Sequence, residues 1–417
     1  MLGSPFGALR SRNYRLFFVG QGISLIGTWM TRLATAWLVY RVTESAFLLG
    51  VVAFAGQIPS FFVPPLAGVW VDRWDRHKVL VWTQVLAMLQ SLAMAALALS
   101  GHINVAWVIT LTLFQGVITA VEIPTRQSFV ISLIGDRADL GNAIALNSSS
   151  FNAARLVGPA IAGVLVAAVG EGYCFLIDGL SYMGVIAGLL AMRLPKDVRV
   201  PSTTHPWHEL ADGWKYVAGS APIRSLLIFL AAIGILGAPY SVLTPMVAAE
   251  MLKGDAHTLG ALMAASGVGA LVCAAMLVLR RTVEGLIGRI AIAVTVFGVG
   301  CVALGFSRLL WVSVPLMAVT GYGLMNQIVG SNTMVQTLVE DDKRGRVMSF
   351  YTIALLGSSP IGSLLGGALA ARIGVQATLA ASGVACVLAA LWFARQLPQM
   401  REAIRPRYTE LGIVREA

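Results

Sequence analysis

Charge is scarce in this sequence: Asp, Glu, Lys and Arg together make up 12% of its 417 residues, while 57% are hydrophobic. Soluble domains average about 25% charged and about 45–50% apolar. A water-exposed fold of this length needs far more polar side chains to cover its surface. Mean hydropathy is +0.78, so the chain calls for an apolar solvent. Cysteine is scarce too. Cys174, Cys273, Cys301 and Cys386 each sit in an apolar run and none forms a CxxC, which excludes a disulfide framework and leaves buried structural thiols. Among five histidines only His205 and His208 have H-x-x-H spacing, in a polar stretch around Pro206 and Trp207, and no metal site is expected there. There is no G-x-x-x-x-G-K-[ST], no H-E-x-x-H and no G-x-S-x-G. A nucleotide-driven machine and an enzyme are therefore disfavoured, and no catalytic residue or cofactor is expected.

Long apolar runs fill the space the missing charges leave. A spanning helix needs about 20 mainly apolar residues. Twelve runs qualify, near 15–40, 47–70, 79–99, 105–132, 143–169, 173–193, 223–247, 258–279, 286–306, 310–335, 347–370 and 375–395. The turns at 170–172 and 372–374 are so short that they must join antiparallel neighbours. Arg10, Arg12 and Arg15 precede a run too long for a signal-peptide core, so the first helix is expected to stay in the mature protein. The expected fold class is an all-α, multi-pass membrane protein.

The net charge of +10 belongs to topology rather than to a nucleic-acid partner. With the N-terminus placed inside, 24 of the 30 Lys and Arg fall in inside segments and 4 in outside turns, while Arg32 and Arg155 lie within helices. That bias puts both termini in the cytoplasm. Residues 194–222 break the rhythm, with Pro195, Pro201 and Pro206 followed by an amphipathic piece over 207–217. This reads as a cytoplasmic linker carrying a short surface helix. The expected domains are a six-helix bundle over 1–194, the linker over 195–222, a second six-helix bundle over 223–395 and a cytoplasmic tail over 396–417.

The two bundles look like repeats. QSFVISLIGD (127–136) aligns with NTMVQTLVED (332–341), Pro159 meets Pro360, and Gly170 meets Gly374, at offsets of 205, 201 and 204. Pseudo-symmetric halves related by an axis along the membrane normal are a recurring transporter plan.

The second and third helices are joined by Gly68-Val-Trp-Val-Asp72-Arg73-Trp-Asp75-Arg76-His-Lys78. This resembles the signature loop of the major facilitator superfamily, G-x-x-x-D-R-x-G-R-K/R, with Asp75 where glycine is usual. An Asx-type side-chain bond can close the turn there instead. In that family the loop latches the halves together at the start of helix eleven, which here implies residues 340–346 as partner. The fifth helix carries Asn152-Ala-Ala-Arg155-Leu-Val-Gly158-Pro159-Ala-Ile-Ala-Gly163, a partial match to the G-x-x-x-x-G-P-x-x-G-G element of exporters in the superfamily. NYRLFFVGQGIS (13–24), WLVYRVTESAFLLG (37–50), ELADGWKYVAGSAPIRSLL (209–227) and the stretch 333–349 narrow the resemblance. It is to the bacterial subgroup that includes the enterobactin exporter and macrolide-efflux proteins, over nearly the whole chain. The resemblance implies a monomeric, proton-driven exporter of the bacterial inner membrane working by alternating access. Its cargo would be a small amphipathic molecule such as a drug or a siderophore. The alternatives are an importer, a lysophospholipid transporter of the same fold, or a non-transporting membrane sensor.

Ionisable side chains inside a bilayer are expensive and are functional candidates by default. Glu122 and Arg126, four apart in helix four, can share a face. Arg155 lies at similar depth in helix five, roughly 18 Å from the cytoplasmic end against roughly 15 Å for Glu122. A low-dielectric wall favours the neutral form of a carboxylic acid and a nearby arginine favours the ion. A moving arginine can therefore load or release a proton, and Glu122 is expected to be the coupling carboxylate. Arg32 and Asp178 lie about 10–13 Å from the outer end of their helices and are candidates for a second pair, the favoured alternative being an interfacial place for Asp178. Polar or aromatic residues in otherwise apolar helices give the cavity candidates: Gln21, Trp29, Gln115, Tyr240, Asn326 and Gln327. Gln327, at offset 205, is the neutral counterpart of Glu122. The resemblance places all of them on the path-lining helices one, four, seven and ten.

Overall fold

In a bilayer core the backbone must satisfy its own hydrogen bonds, and apolar runs of this length do so as helices. The computed structural model describes residues 7–63, 75–134, 139–193, 206–280, 282–340 and 343–410. The helices are α1 (Arg12–Thr43), α2 (Ala46–Gln57, continued to Val63), α3 (Arg76–Leu99), α4 (Val105–Ser132), α5 (Leu140–Val169) and α6 (Glu171–Leu190). A linker helix (Pro206–Gly219) precedes α7 (Ala221–Val242), α8 (Ala256–Val278), α9 (Leu286–Phe306) and α10 (Leu310–Leu338). The final helical run, Arg344–Glu410, breaks at Gly374 into α11 (344–373) and α12 (375–410). Twelve spanning helices result, matching the number and order of the apolar runs. Ten runs, counting Arg344–Glu410 once, are long and apolar enough to cross a membrane by composition alone. The 32-residue α1 is not among them, because Arg15, Gln21, Thr28 and Arg32 lower its hydropathy.

Local chemistry sets the helix starts. Ser11 caps α1 through the Tyr14 amide, and Asn104 caps α4 through the Trp107 amide at 3.0 Å. Asp75, at the glycine position of the signature loop, accepts from the amides of His77 (3.0 Å) and Lys78 (3.4 Å) and so starts α3. This is the Asx-type closure expected from the sequence. At its far end α7 runs on past Thr244–Met246 into a π turn over Val247–Met251. That extends the helix four residues beyond the expected end at 247.

The chain divides into two compact units. The first comprises Met1–Leu48, Ala55–Ser202 and Lys253–Ala264, and the second Leu49–Phe54, Thr203–Leu252 and Ala265–Ala417. Within the first, α1 packs on α5 and α6, and α3 packs on α4 and α6. Arg41 near the end of α1 grips Glu171 in the first turn of α6 through two bonds of 2.8 and 3.0 Å. Within the second unit α7 packs on α11 and α12, with Phe229 stacked on Phe393 at 4.3 Å, and α9 packs on α10 and α12. The pairing of neighbours is therefore the same in both sets of six helices. Apolar side chains such as Trp82, Leu180, Leu365 and Leu388 are half or more exposed on the outer faces, while Ser91, Ser313 and Thr320 are fully buried. Such burial of small polar residues is how helices bind each other in lipid, where apolar burial gives no drive.

The repeat is sharpest at two glycines. Gly170 joins α5 to α6 with φ 90° and ψ 170°, and Gly374 joins α11 to α12 with φ 82° and ψ 164°. Only glycine adopts this region without strain, at a cost of about 1–3 kcal/mol for other residues. Gly170→Ala and Gly374→Ala should each lower the melting temperature of the detergent-solubilised chain to a similar degree. Gly184→Ala, at a glycine whose added Cβ meets no atom within 4 Å, should leave it unchanged.

Candidate functional site

The polar residues of α1 fall on one stripe. Gln21, Thr28, Arg32 and Thr35 are spaced by seven, four and three, which keeps them on one helical face. Val19 and Ile23, both more than half exposed, point roughly the opposite way. Next to the stripe, Thr31 reaches α6, where Asp178 is buried at 3% exposure. Asp178 Oδ2 accepts from Thr31 at 3.0 Å and lies 2.9 Å from the Ser91 hydroxyl of α3, which also reaches the Phe175 carbonyl at 2.9 Å. Asp178 Oδ1 has no hydrogen-bond partner. The pair with Arg32 considered from depth alone does not form. Depth along two helices does not say which faces meet, and Asp178 faces hydroxyls.

One turn further along α6, the Tyr182 hydroxyl lies 3.5 Å from that of Thr28, beside the Gln115 side chain of α4 and within electrostatic reach of Asp178 and Glu122. Gln115 Oε1 is buried without a partner. On α4, Arg126 Nε stands 3.2 Å from Glu122 Oε1, with both side chains about 15% exposed. Thr31, Ser91 and Tyr182 were not singled out from the sequence. The spacing of four between Asp178 and Tyr182 was the available signal for one of them.

Trp29 gathers the arginines. The Arg32 guanidinium lies 4.6 Å and that of Arg155 5.8 Å from the centre of its ring, and Phe151 meets the ring edge-on at 5.7 Å. Arg155 and Phe151 reach this place because α5 runs against α1 at Gly158. A Cβ on Gly158 would lie 2.5 Å from Trp29 Cβ and 3.0 Å from the Ile26 carbonyl oxygen. Pro159 follows within α5, and Gly163 lies against Gly260 of α8 inside the same unit.

The second unit holds the remaining cavity candidates. Tyr240 is buried on α7, with its hydroxyl 3.4 Å from the Met317 carbonyl. Asn326 and Gln327 are buried on α10, and Asn326 Oδ1 and both polar atoms of Gln327 lack partners. Gly68, Asp72 and Arg73 of the signature loop lie outside the described residues. Arg76 is the first residue of α3 and Lys78 is exposed within its first turn. In the stretch assigned as the loop's partner, Arg346 pairs with Asp212 of the linker helix at 3.6 Å, and Lys343 sits over the Tyr216 ring at 5.9 Å. Gly158→Val should push α5 off α1. It should raise the acrylamide quenching of tryptophan emission, and that rise should vanish in a chain also lacking Trp29, which checks that the displacement is local.

Sequence and structure comparisons agree with this architecture. A family described as transmembrane secretion effector matches residues 3–410. The staphyloferrin A transporter of Staphylococcus aureus is 26% identical, over 91% of this chain and 95% of that protein. The multidrug efflux pump Tap of Mycolicibacterium fortuitum is 26% identical, over 90% and 93%. Among solved structures, a bacterial homologue of the iron transporter ferroportin in an inward-facing state superposes with a TM-score of 0.72 at 17% identity, covering 92% of this chain and 98% of that one. These relatives and folds are transporters rather than enzymes. The chain belongs to the transmembrane secretion effector family of the major facilitator superfamily, and is a multi-pass membrane transporter.

Proposed function

We propose that this transporter exports a small amphipathic molecule in exchange for protons, with Glu122 as the coupling carboxylate. The observation that carries the reading is the Glu122–Arg126 pair, 3.2 Å apart and mostly buried in the middle of a spanning helix. An ionised pair at that depth is costly to keep. An arginine that leaves or rejoins the carboxylate changes its proton affinity, which is what alternating access needs from a coupling site. Relatives named for staphyloferrin A transport and multidrug efflux support export and a cargo of this size.

A deletion strain screened for drug susceptibility and secreted metabolites supplies the cargo. Everted membrane vesicles energised with a proton gradient should then accumulate it. Glu122→Gln should cut that accumulation at least tenfold (about 1.4 kcal/mol in coupling) while expression stays normal. Full coupling in Glu122→Gln would refute the assignment, and accumulation only in right-side-out vesicles would reverse the direction.

Asp178 supports a second reading of the coupling site. Its carboxyl is buried with one oxygen unpartnered, and the groups on the other are hydroxyls rather than a cation. If Asp178→Asn uncouples and Glu122→Gln does not, coupling belongs to α6. The charge bias further supports an inner-membrane chain with both termini in the cytoplasm. A C-terminal green fluorescent protein should fluoresce and a C-terminal alkaline phosphatase should stay inactive; the reverse pattern would overturn the orientation.

A further inference from the structure

Two guanidinium groups share a single indole ring in the first unit, and the pair is unusual for a spanning segment. Arg32 lies 4.6 Å and Arg155 5.8 Å from the Trp29 ring centre. Arg155 is near enough to Arg32 to repel it. Among the described residues Arg32 has no carboxylate within ion-pair distance. The indole face attracts a cation but does not neutralise it.

The Arg32 side chain is also exposed in the fold. It lies about 16 Å along α1 from the end at Thr43, too deep to be left in hydrocarbon cheaply. Its face is that of Gln21, Thr28 and Thr35, and lies away from the apolar, exposed Val19 and Ile23. The exposed guanidinium is therefore turned away from the apolar outer side of α1. Gly158 brings the second arginine and Phe151 to the same ring, so the grouping is built by the close passage of α5 against α1.

We propose that Arg32 and Arg155, held on Trp29, form a subsite for an oxyanion, a carboxylate or phosphate, carried by the transported molecule. The planar fork of arginine suits such a group, and each charge-assisted pair is a strong bond in a confined site. Phe151 and the free part of the Trp29 ring offer an aromatic wall for the apolar portion beside it. The cargo is then an anionic amphiphile, neither a lipophilic cation nor a neutral compound. This inference rests on the exporter reading, but binding is measured without transport, so the two fail separately.

The test uses the full-length chain in phosphatidylcholine nanodiscs, with citrate and pyrophosphate as soluble probes and tetraphenylphosphonium as the cationic control. Both anions should raise the melting temperature of the unaltered chain, and the cation should not. Arg32→Gln and Arg155→Gln should each weaken citrate binding at least about tenfold. Arg32→Lys should fall between, because it keeps the charge and loses the fork. Arg308→Gln, an exposed arginine of the other unit, should bind citrate as the unaltered chain does. Exchanging the lipid for phosphatidylglycerol separates the sources of the oxyanion. Competition with citrate identifies a lipid headgroup, and its absence identifies a soluble anion. No stabilisation by either anion, stabilisation by the cation instead, or unchanged citrate binding in both Arg32→Gln and Arg32→Lys would each overturn the proposal.

Discussion

Hydrocarbon offers no partner to a charge or to a free backbone group, and the rest of this structure follows from that. The backbone answers with twelve helices, whose exposed faces carry side chains such as Trp82, Leu365 and Leu388. The side chains answer one by one. Glu122 lies against Arg126, Asp178 is wrapped by hydroxyls, and Arg32 rests on Trp29 at the polar stripe of α1. Two of these solutions lie within one helix, Glu122 with Arg126 at a spacing of four and Arg32 with Trp29 at a spacing of three, while Asp178 draws its hydroxyls from two other helices.

Close backbone approach is what brings neighbouring helices to these groups. Gly158 lets α5 reach Trp29, and Gly27 lets α6 bring Asp178 to α1, where a Cβ would stand 2.6 Å from Asp178 Oδ1. The glycine–proline element read as an exporter marker therefore has a direct physical role in the first unit. It places Arg155, three residues before Gly158, over the ring that also holds Arg32. A packing motif and a charge motif are here the same few residues.

The helices were legible in the sequence because length and hydropathy are properties of one segment at a time. The runs expected at 105–132 and 286–306 coincide with α4 and α9. The Asp75 cap and the twin glycines at 170 and 374 were legible for the same reason, being set within a few residues. The site was legible only by residue type and depth. Arg32 and Asp178 stand at comparable depth, and that made them a plausible pair. Which faces meet depends on how α1, α3 and α6 pack, and there Thr31 and Ser91 reach Asp178 first. The linker helix gives the same lesson. Its existence follows from an amphipathic pattern, but its ion pair with Arg346 joins residues far apart in sequence.

The two sets of six helices share a neighbour pattern but not a chemistry. In the first, α1, α4 and α5 carry Arg32, Glu122, Arg126 and Arg155 within their spans. In the second, α7 has no charged residue between Arg224 and Glu250, and α10 has none at all. Gln327 stands where the repeat aligns Glu122, buried with neither polar atom of its side chain bonded. A buried amide without partners is costly, and a group that pairs with it recovers that cost. The two sets of six helices thus share packing, which both need in order to cross the membrane, and differ in the charges that α1, α4 and α5 carry and α7 and α10 lack within their spans.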